Sequence, residues 1–214
     1  MNKELDEQLC QKYPALYRDR NGDKGDTSMC WGFACGDGWH TLIDVISELL
    51  TKHDPNICAV QIKQKLGGLC FYHDSGDDYA LGVEMTAFTI SKTVCEMCGA
   101  PGILNNKGGW LSTLCDEHGD QHSAADNRDI DISSVADLRL GAAWSRLCAI
   151  LKNSAHWHTE HNGRPASTFF INKGKNGRLL IKAFSDDQLT RGMVDIIAGY
   201  ANRIDEHSGM VIGG

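Results

Sequence analysis

The sequence predicts an α+β protein in two parts. A zinc-stapled N-terminal part combines helices, a hairpin and a treble-clef-like module, and a smaller C-terminal part is a helix-hairpin-helix. Three observations predict this. Helical apolar stripes alternate with short strand pairs around glycine turns. Residues 95–118 carry a Cys-x2-Cys-x16-Cys-x2-His pattern. The polar, aperiodic run AADNRDIDISS at 124–134 separates the two halves. The expected boundaries are 1–122, a linker at 123–134, and 135–214. No internal repeat or low-complexity tract is evident.

The elements follow in order. Residues 2–17 form a helix with Leu5, Leu9 and Tyr13 on one face, ending near Pro14. Asp37 caps a helix reaching Lys52, with Leu42, Val45, Ile46, Leu49 and Leu50 as its stripe. Val60 and Ile62 alternate with Gln61 and Lys63 as a strand, and 69–73 return as a second strand through Leu66-Gly67-Gly68. Ser75 or Asp77 caps a third helix with the stripe Leu81, Met85 and Phe88. A helix over 135–153 then places Leu140, Trp144, Leu147 and Leu151 in phase. Strands at 168–172 and 178–184 flank the turn Gly174-Lys175-Asn176-Gly177. Ser185-Asp186-Asp187 caps a last helix whose stripe is Leu189, Met193, Ile196, Tyr200 and Ile204.

Composition narrows the function classes. The 214 residues carry a net charge of −7. Residues 1–122 hold 10 basic against 18 acidic residues, and 123–214 hold 11 against 10. Neither half is a basic footprint, which disfavours general duplex binding. No run approaches the ~20 apolar residues of a membrane helix. The first residues, Met1 to Glu7, lack the apolar core of a signal peptide, so a reducing cytoplasm is expected. Nine cysteines in that compartment point to metal or buried thiols rather than disulfides.

The chemistry concentrates at Cys95, Cys98, Cys115 and His118. Zinc takes four N or S ligands at tetrahedral corners. A Cys-x2-Cys turn brings two thiolates together. Pro101-Gly102 opens a hairpin in the spacer, Asn106-Lys107-Gly108-Gly109 turns it, and 110–114 returns it. Cys115 and His118 then face inward from the first turn of a short helix. Knuckle, hairpin and helix start make a treble clef. Four protein ligands close the coordination sphere, so the expected cofactor is structural Zn2+ with no position for a reactive water.

The runs CWGFACGDGW (30–39), QKLGGLCFY (64–72) and TVCEMCGAPG…GWLSTLCDEH (93–118) together resemble a family of tailed-phage and prophage proteins of no settled activity. The resemblance covers roughly residues 3–122. Cys70 stands where relatives tend to carry a basic residue, and the part from about Ile130 resembles no family. What the resemblance implies is a bacteriophage origin and a zinc-binding fold. Extrapolated from it is a non-enzymatic accessory protein that binds a host protein, in the cytoplasm of an infected or lysogenic bacterium. It would inhibit or redirect a defence or gene-expression component.

Weaker candidates accompany these. Cys30, Cys35 and His40 have a spacing that matches no common zinc pattern, so they read first as core residues. Cys10, Cys58, Cys70 and Cys148 read as buried thiols. His156, His158 and Glu160 share a face in an extended chain and are a possible second site, for metal or acid–base chemistry, although Asn162-Gly163-Arg164-Pro165 sets them at a loop edge. They carry the alternative of a hydrolase or nuclease. Lys173, Lys175, Arg178 and Lys182, beside Phe169 and Phe170, carry the alternative of a zinc-finger nucleic-acid binder. Trp31, Trp39, Lys173, Lys175 and Arg178 are the candidate partner contacts.

Overall fold

A computed structural model of the chain describes residues 1–119, 130 and 132–212. Most of the linker expected at 123–134 lies outside the described residues. The fold is mixed, with helices and three small sheets among the described residues. It divides into two compact units, Met1–Gly76 with Ala87–Asn127, and Asp77–Thr86 with Arg128–Gly214. The division therefore also passes through a helix.

The first unit opens with α1 (Lys3–Lys12), whose N-cap Asn2 accepts a hydrogen bond from Leu5 N at 3.0 Å. α1 stops short of the expected Tyr17 because Pro14 disfavours a helical Tyr13. A short strand β1 (Phe33–Ala34) lies parallel to β2 (Ala59–Lys65), and β2 pairs antiparallel with β3 (Gly68–His73). Leu66 and Gly67 join β2 to β3 with φ of 53° and 74°, the left-handed pair of a type I′ turn. A bulge between Ala59 and Gln61 upsets the expected alternation: Val60 is 41 % exposed, whereas Ala59 and Ile62 are fully buried. α2 (His40–His53) buries Leu42, Ile46 and Leu50, which with Trp39, Ile62 and Phe71 are among the fully buried side chains of the core. A second hairpin, β4 (Ile103–Lys107) and β5 (Trp110–Leu114), completes the unit.

Helix α3 (Asp78–Ser91) begins in the second unit and ends in the first. Asp77 caps it by accepting from Ala80 N at 2.8 Å. Its buried apolar side chains are Tyr79, Ala80, Val83, Ala87 and Ile90, not the stripe Leu81, Met85 and Phe88, and Leu81 is exposed. The helix is apolar nearly all round, so periodicity does not select a face.

In the second unit a 3-10 turn (Ser133–Leu138) precedes α4 (Ala142–Asn162). Arg139, in the left-handed region at φ 50°, breaks the single helix expected over 135–153. α4 then runs nine residues beyond Asn153 and ends at Gly163, whose φ of 62° is that of a C-terminal glycine cap. β6 (Phe169–Lys173) and β7 (Leu179–Ala183) form the expected hairpin. α5 (Gln188–Ala201) starts at the Asp187 cap, which accepts from Thr190 N at 2.9 Å, and Leu189, Met193, Ile196 and Tyr200 are buried as its stripe requires. α3 and α5 cross closely. A Cβ at Gly82 would collide with Leu189 O, and one at Gly192 would collide with Tyr79 O.

That reciprocity reveals what the sequence does not show. Residues 69–102 and 179–212 repeat one another in order: second hairpin strand, Ser-x-Asp cap, helix with glycine at its fifth position, and a bridged turn. The offset is 110 throughout, pairing Asp77 with Asp187, Gly82 with Gly192 and Gly99 with Gly209. Upstream, a Gly-x-x-Trp step starts the preceding helix in each half, at Gly36-Trp39 and Gly141-Trp144. An internal structural repeat is therefore present.

Candidate metal centre

Thr93 to Gly102 form a tight knuckle. Cys95 N donates to Ala100 O at 2.7 Å, Gly99 N to Cys95 O at 2.9 Å, and Gly102 N to Thr93 O at 2.9 Å. Gly99 sits at φ 80°, which a side chain would resist. From the knuckle the chain enters β4, reverses through Gly108 and Gly109 at φ 60° and 89°, and returns along β5 to Cys115. Cys115 to Gly119 form a turn, with Gly119 N donating to Cys115 O at 2.7 Å. The segment is a turn as far as residue 119, where the sequence predicts the start of a helix.

The four ligand atoms converge within 4.8 Å of one another. Cys98 Sγ lies 3.6 Å from Cys115 Sγ, and His118 Nδ1 lies 3.2 Å from Cys115 Sγ and 3.7 Å from Cys95 Sγ. A tetrahedral ion with Zn–S of ~2.3 Å and Zn–N of ~2.0 Å separates its ligand atoms by about 3.5–3.8 Å, so the cluster fits such an ion. Cys95 is buried and Cys98 exposed, which places the site at the surface end of the knuckle. Burial alone would raise the Cys115 thiol. The His118 ring and the backbone N–H groups of Glu117 and His118 outweigh it and bring the thiol down to about 7.

Residues distant in sequence support this cluster. Gly38 N donates to Glu96 O at 2.8 Å, Gly36 N to Glu96 Oε1 at 3.0 Å, and Trp39 Nε1 to Val94 O at 2.9 Å. Thr113 Oγ1 donates to Gly67 O at 2.6 Å, and Glu96 N to Thr113 O at 2.9 Å. The sequence singled out Asp37 as the cap of α2. Asp37 instead accepts from Asn2 N and Asn2 Nδ2 and makes no side-chain cap on α2. The role of Gly36, Gly38 and Glu96 had no signal in the sequence beyond the glycine spacing.

The remaining candidates disperse. Cys30 donates to Thr27 O at 3.0 Å and Cys35 is buried; neither joins His40 in a ligand cluster among the described residues. Trp39 is fully buried, so it is a core anchor and not a partner contact; Trp31 is exposed, with Lys24 Nζ 5.0 Å from its ring centroid. The run 156–161 is helical rather than extended. His156 Nε2 approaches Glu160 Oε1 at 3.8 Å on an exposed face, as residues one turn apart do. His158 is buried and its Nδ1 meets Asn162 Nδ2 at 2.8 Å, so the three do not converge. Lys173 is paired with Glu206 Oε1 at 2.7 Å, while Lys175 and Arg178 are exposed at the hairpin end. Of the four thiols expected to be buried, Cys58 and Cys148 are, and Cys10 and Cys70 are half-buried. Desolvation holds Cys10, Cys58 and Cys148 well above neutral pH as thiols.

No protein family, curated protein or solved structure matches the chain. No helix among the described residues is long and apolar enough to cross a membrane.

Proposed function

We propose that the chain is a binding protein whose first unit is held by one structural zinc ion on Cys95, Cys98, Cys115 and His118, in a treble-clef-like arrangement. The observation that carries this reading is the convergence of three sulfurs and one imidazole nitrogen within 4.8 Å. Thiolate-rich donor sets favour zinc over hard cations. Four protein donors fill a tetrahedral ion, so the ion cross-links the chain and offers no open position to a substrate. Such sites contribute on the order of 10 kcal/mol to folding of the region they join. A closed site gives the ion a structural role, and we read the scaffold it holds as a recognition module. The phage resemblance of residues 3–122 makes a bacterial host protein the proposed partner. The −7 net charge argues against nucleic acid in that role.

The test is metal content by mass spectrometry on the purified chain, with chelation and Cys98→Ser. One zinc per chain, lost in the variant, is expected. Zero zinc after purification in zinc-containing medium refutes the metal reading. Zinc-loaded and chelated protein are then compared in capture from bacterial lysate, with nucleic-acid retardation at low salt alongside. A partner retained only by the zinc-loaded form is expected; a salt-dependent nucleic-acid shift refutes the protein-partner reading.

A further inference from the structure

The repeat places a second turn where the first carries its knuckle, and the two are held alike. Cys95 N→Ala100 O at 2.7 Å corresponds to Asp205 N→Met210 O at 2.8 Å. Gly99 N→Cys95 O and Gly209 N→Asp205 O are both 2.9 Å. Gly102 N→Thr93 O at 2.9 Å corresponds to Ile212 N→Arg203 O at 3.0 Å. The isolated bridges Val94–Pro101 and Ile204–Val211 fall at the same positions, and Gly99 and Gly209 have φ of 80° and 73°. The residue after the first knuckle ligand is glutamate in both. Glu96 O accepts from Gly38 N and Glu206 O from Ala143 N, at the start of the preceding helix in each case.

The ligand positions differ. Cys95-Glu96-Met97-Cys98 becomes Asp205-Glu206-His207-Ser208. Asp205 Oδ1 accepts from His207 N at 3.1 Å, Ser208 N at 2.8 Å and Ser208 Oγ at 2.9 Å. These are the amides two and three residues on, and Asp205 stands at the repeat position of Cys95. A carboxylate oxygen thus occupies the place of a thiolate, and a direct Ser208–Asp205 hydrogen bond joins the two positions that a metal joins in the first knuckle.

We infer that residues 205–208 are a metal-free counterpart of the knuckle at 95–98, closed by the Asp205–Ser208 hydrogen bond in place of an ion. The chain therefore takes one metal, not two, and its two halves respond differently to metal withdrawal. Chelation opens the first knuckle and leaves the second closed.

The test uses the full chain, zinc-loaded and chelated, with amide exchange read at 93–102 and 203–212. Chelation is expected to speed exchange at 93–102 and to leave 203–212 within about twofold. Asp205→Ala is expected to speed exchange at 207–210 roughly tenfold, the scale of losing a capping side chain, and to leave zinc content unchanged. Ser208→Ala removes one bond only and is expected to give roughly fivefold; it serves where Asp205→Ala does not fold. Equal opening of both segments on chelation, a second bound zinc, or unchanged exchange in both variants overturns the inference. The chelation arm rests on the zinc reading. If the chain binds no metal, that reading fails by itself, and the two variants still decide this one.

Discussion

Gly38→Ala tests whether the glycine-rich run ahead of α2 is part of the metal centre. A Cβ at Gly38 would fall 2.7 Å from Cys98 N and closer still to Cys95 O and Gly99 N, all backbone atoms of the knuckle. Backbone on a constrained turn cannot rotate aside as a side chain would. The methyl therefore forces Gly38 and the knuckle apart and breaks the 2.8 Å bond from Gly38 N to Glu96 O. Overpacking costs about 1–3 kcal/mol, and the lost hydrogen bond about 1 kcal/mol. If the metal-bound form bears that cost of about 2–4 kcal/mol, zinc binds about 30- to 1,000-fold more weakly. Competition against a chromophoric chelator measures this directly. Gly76→Ala is the control, since nothing lies within 4 Å of a Cβ there. Wild-type zinc affinity together with a wild-type unfolding midpoint in Gly38→Ala would refute the coupling.

Three further outcomes are expected. Leu66 holds φ at 53° while 59 % exposed, so Leu66→Asn relieves left-handed strain without emptying the core, and denaturant unfolding should show a gain of about 0.5–1 kcal/mol; no gain would mean the turn is not strained. Burial raises the Glu84 carboxyl from 4.5 to about 7, so between those values the folded state keeps a proton that the unfolded chain releases. Stability then falls as pH rises through that window, and Glu84→Gln should flatten the slope. Burial, with Arg164 adding to it, lowers the His158 imidazole below 6.5. The unfolded chain takes up a proton first, so stability falls as pH drops below 6.5, and His158→Gln should remove that loss in melting curves between pH 5 and 7, the range about 6.5.

Legibility followed the kind of signal. Ligand spacing, paired glycines and Asp caps are short-range, and they located Cys95, Cys98, Cys115 and His118, the turn at Gly108-Gly109, and the starts of α3 and α5. Signals that two structures share do not discriminate between them. Asn162-Gly163 marks the end of α4, but the same dipeptide marks a loop, and that choice placed His156, His158 and Glu160 on one extended face. The repeat stayed hidden because it is carried by backbone. Between 69–102 and 179–212 the identical pairs are Leu69/Leu179, Ser75/Ser185, Asp77/Asp187, Gly82/Gly192, Glu96/Glu206 and Gly99/Gly209. Apart from the core pair Leu69/Leu179 these are caps, close approaches and turn residues, whereas most core positions between them have drifted among apolar types.

Three runs that are separate in sequence, 30–39, 64–72 and 93–118, form one object in the fold. Gly36, Gly38 and Trp39 bond the knuckle; Gly67 receives Thr113; Gln64 Nε2 donates to Leu111 O on β5. The Cys/His cluster lies only in the third run, yet its opening would remove the fixed partner on which the other two rest. Metal withdrawal should therefore loosen the first unit well beyond residues 93–119. Trp39, fully buried with its indole on Val94 O, reports it. In a Trp144→Phe background, with exposed Trp31, Trp110 and Trp157 accessible to quencher before and after, chelation should add one newly quenched tryptophan. Amide exchange at 36–39 should rise with that at 95–98. If Trp39 stays protected while 95–98 opens, the metal serves its own turn and hairpin alone, and the glycine-rich run packs on a knuckle that does not need the ion.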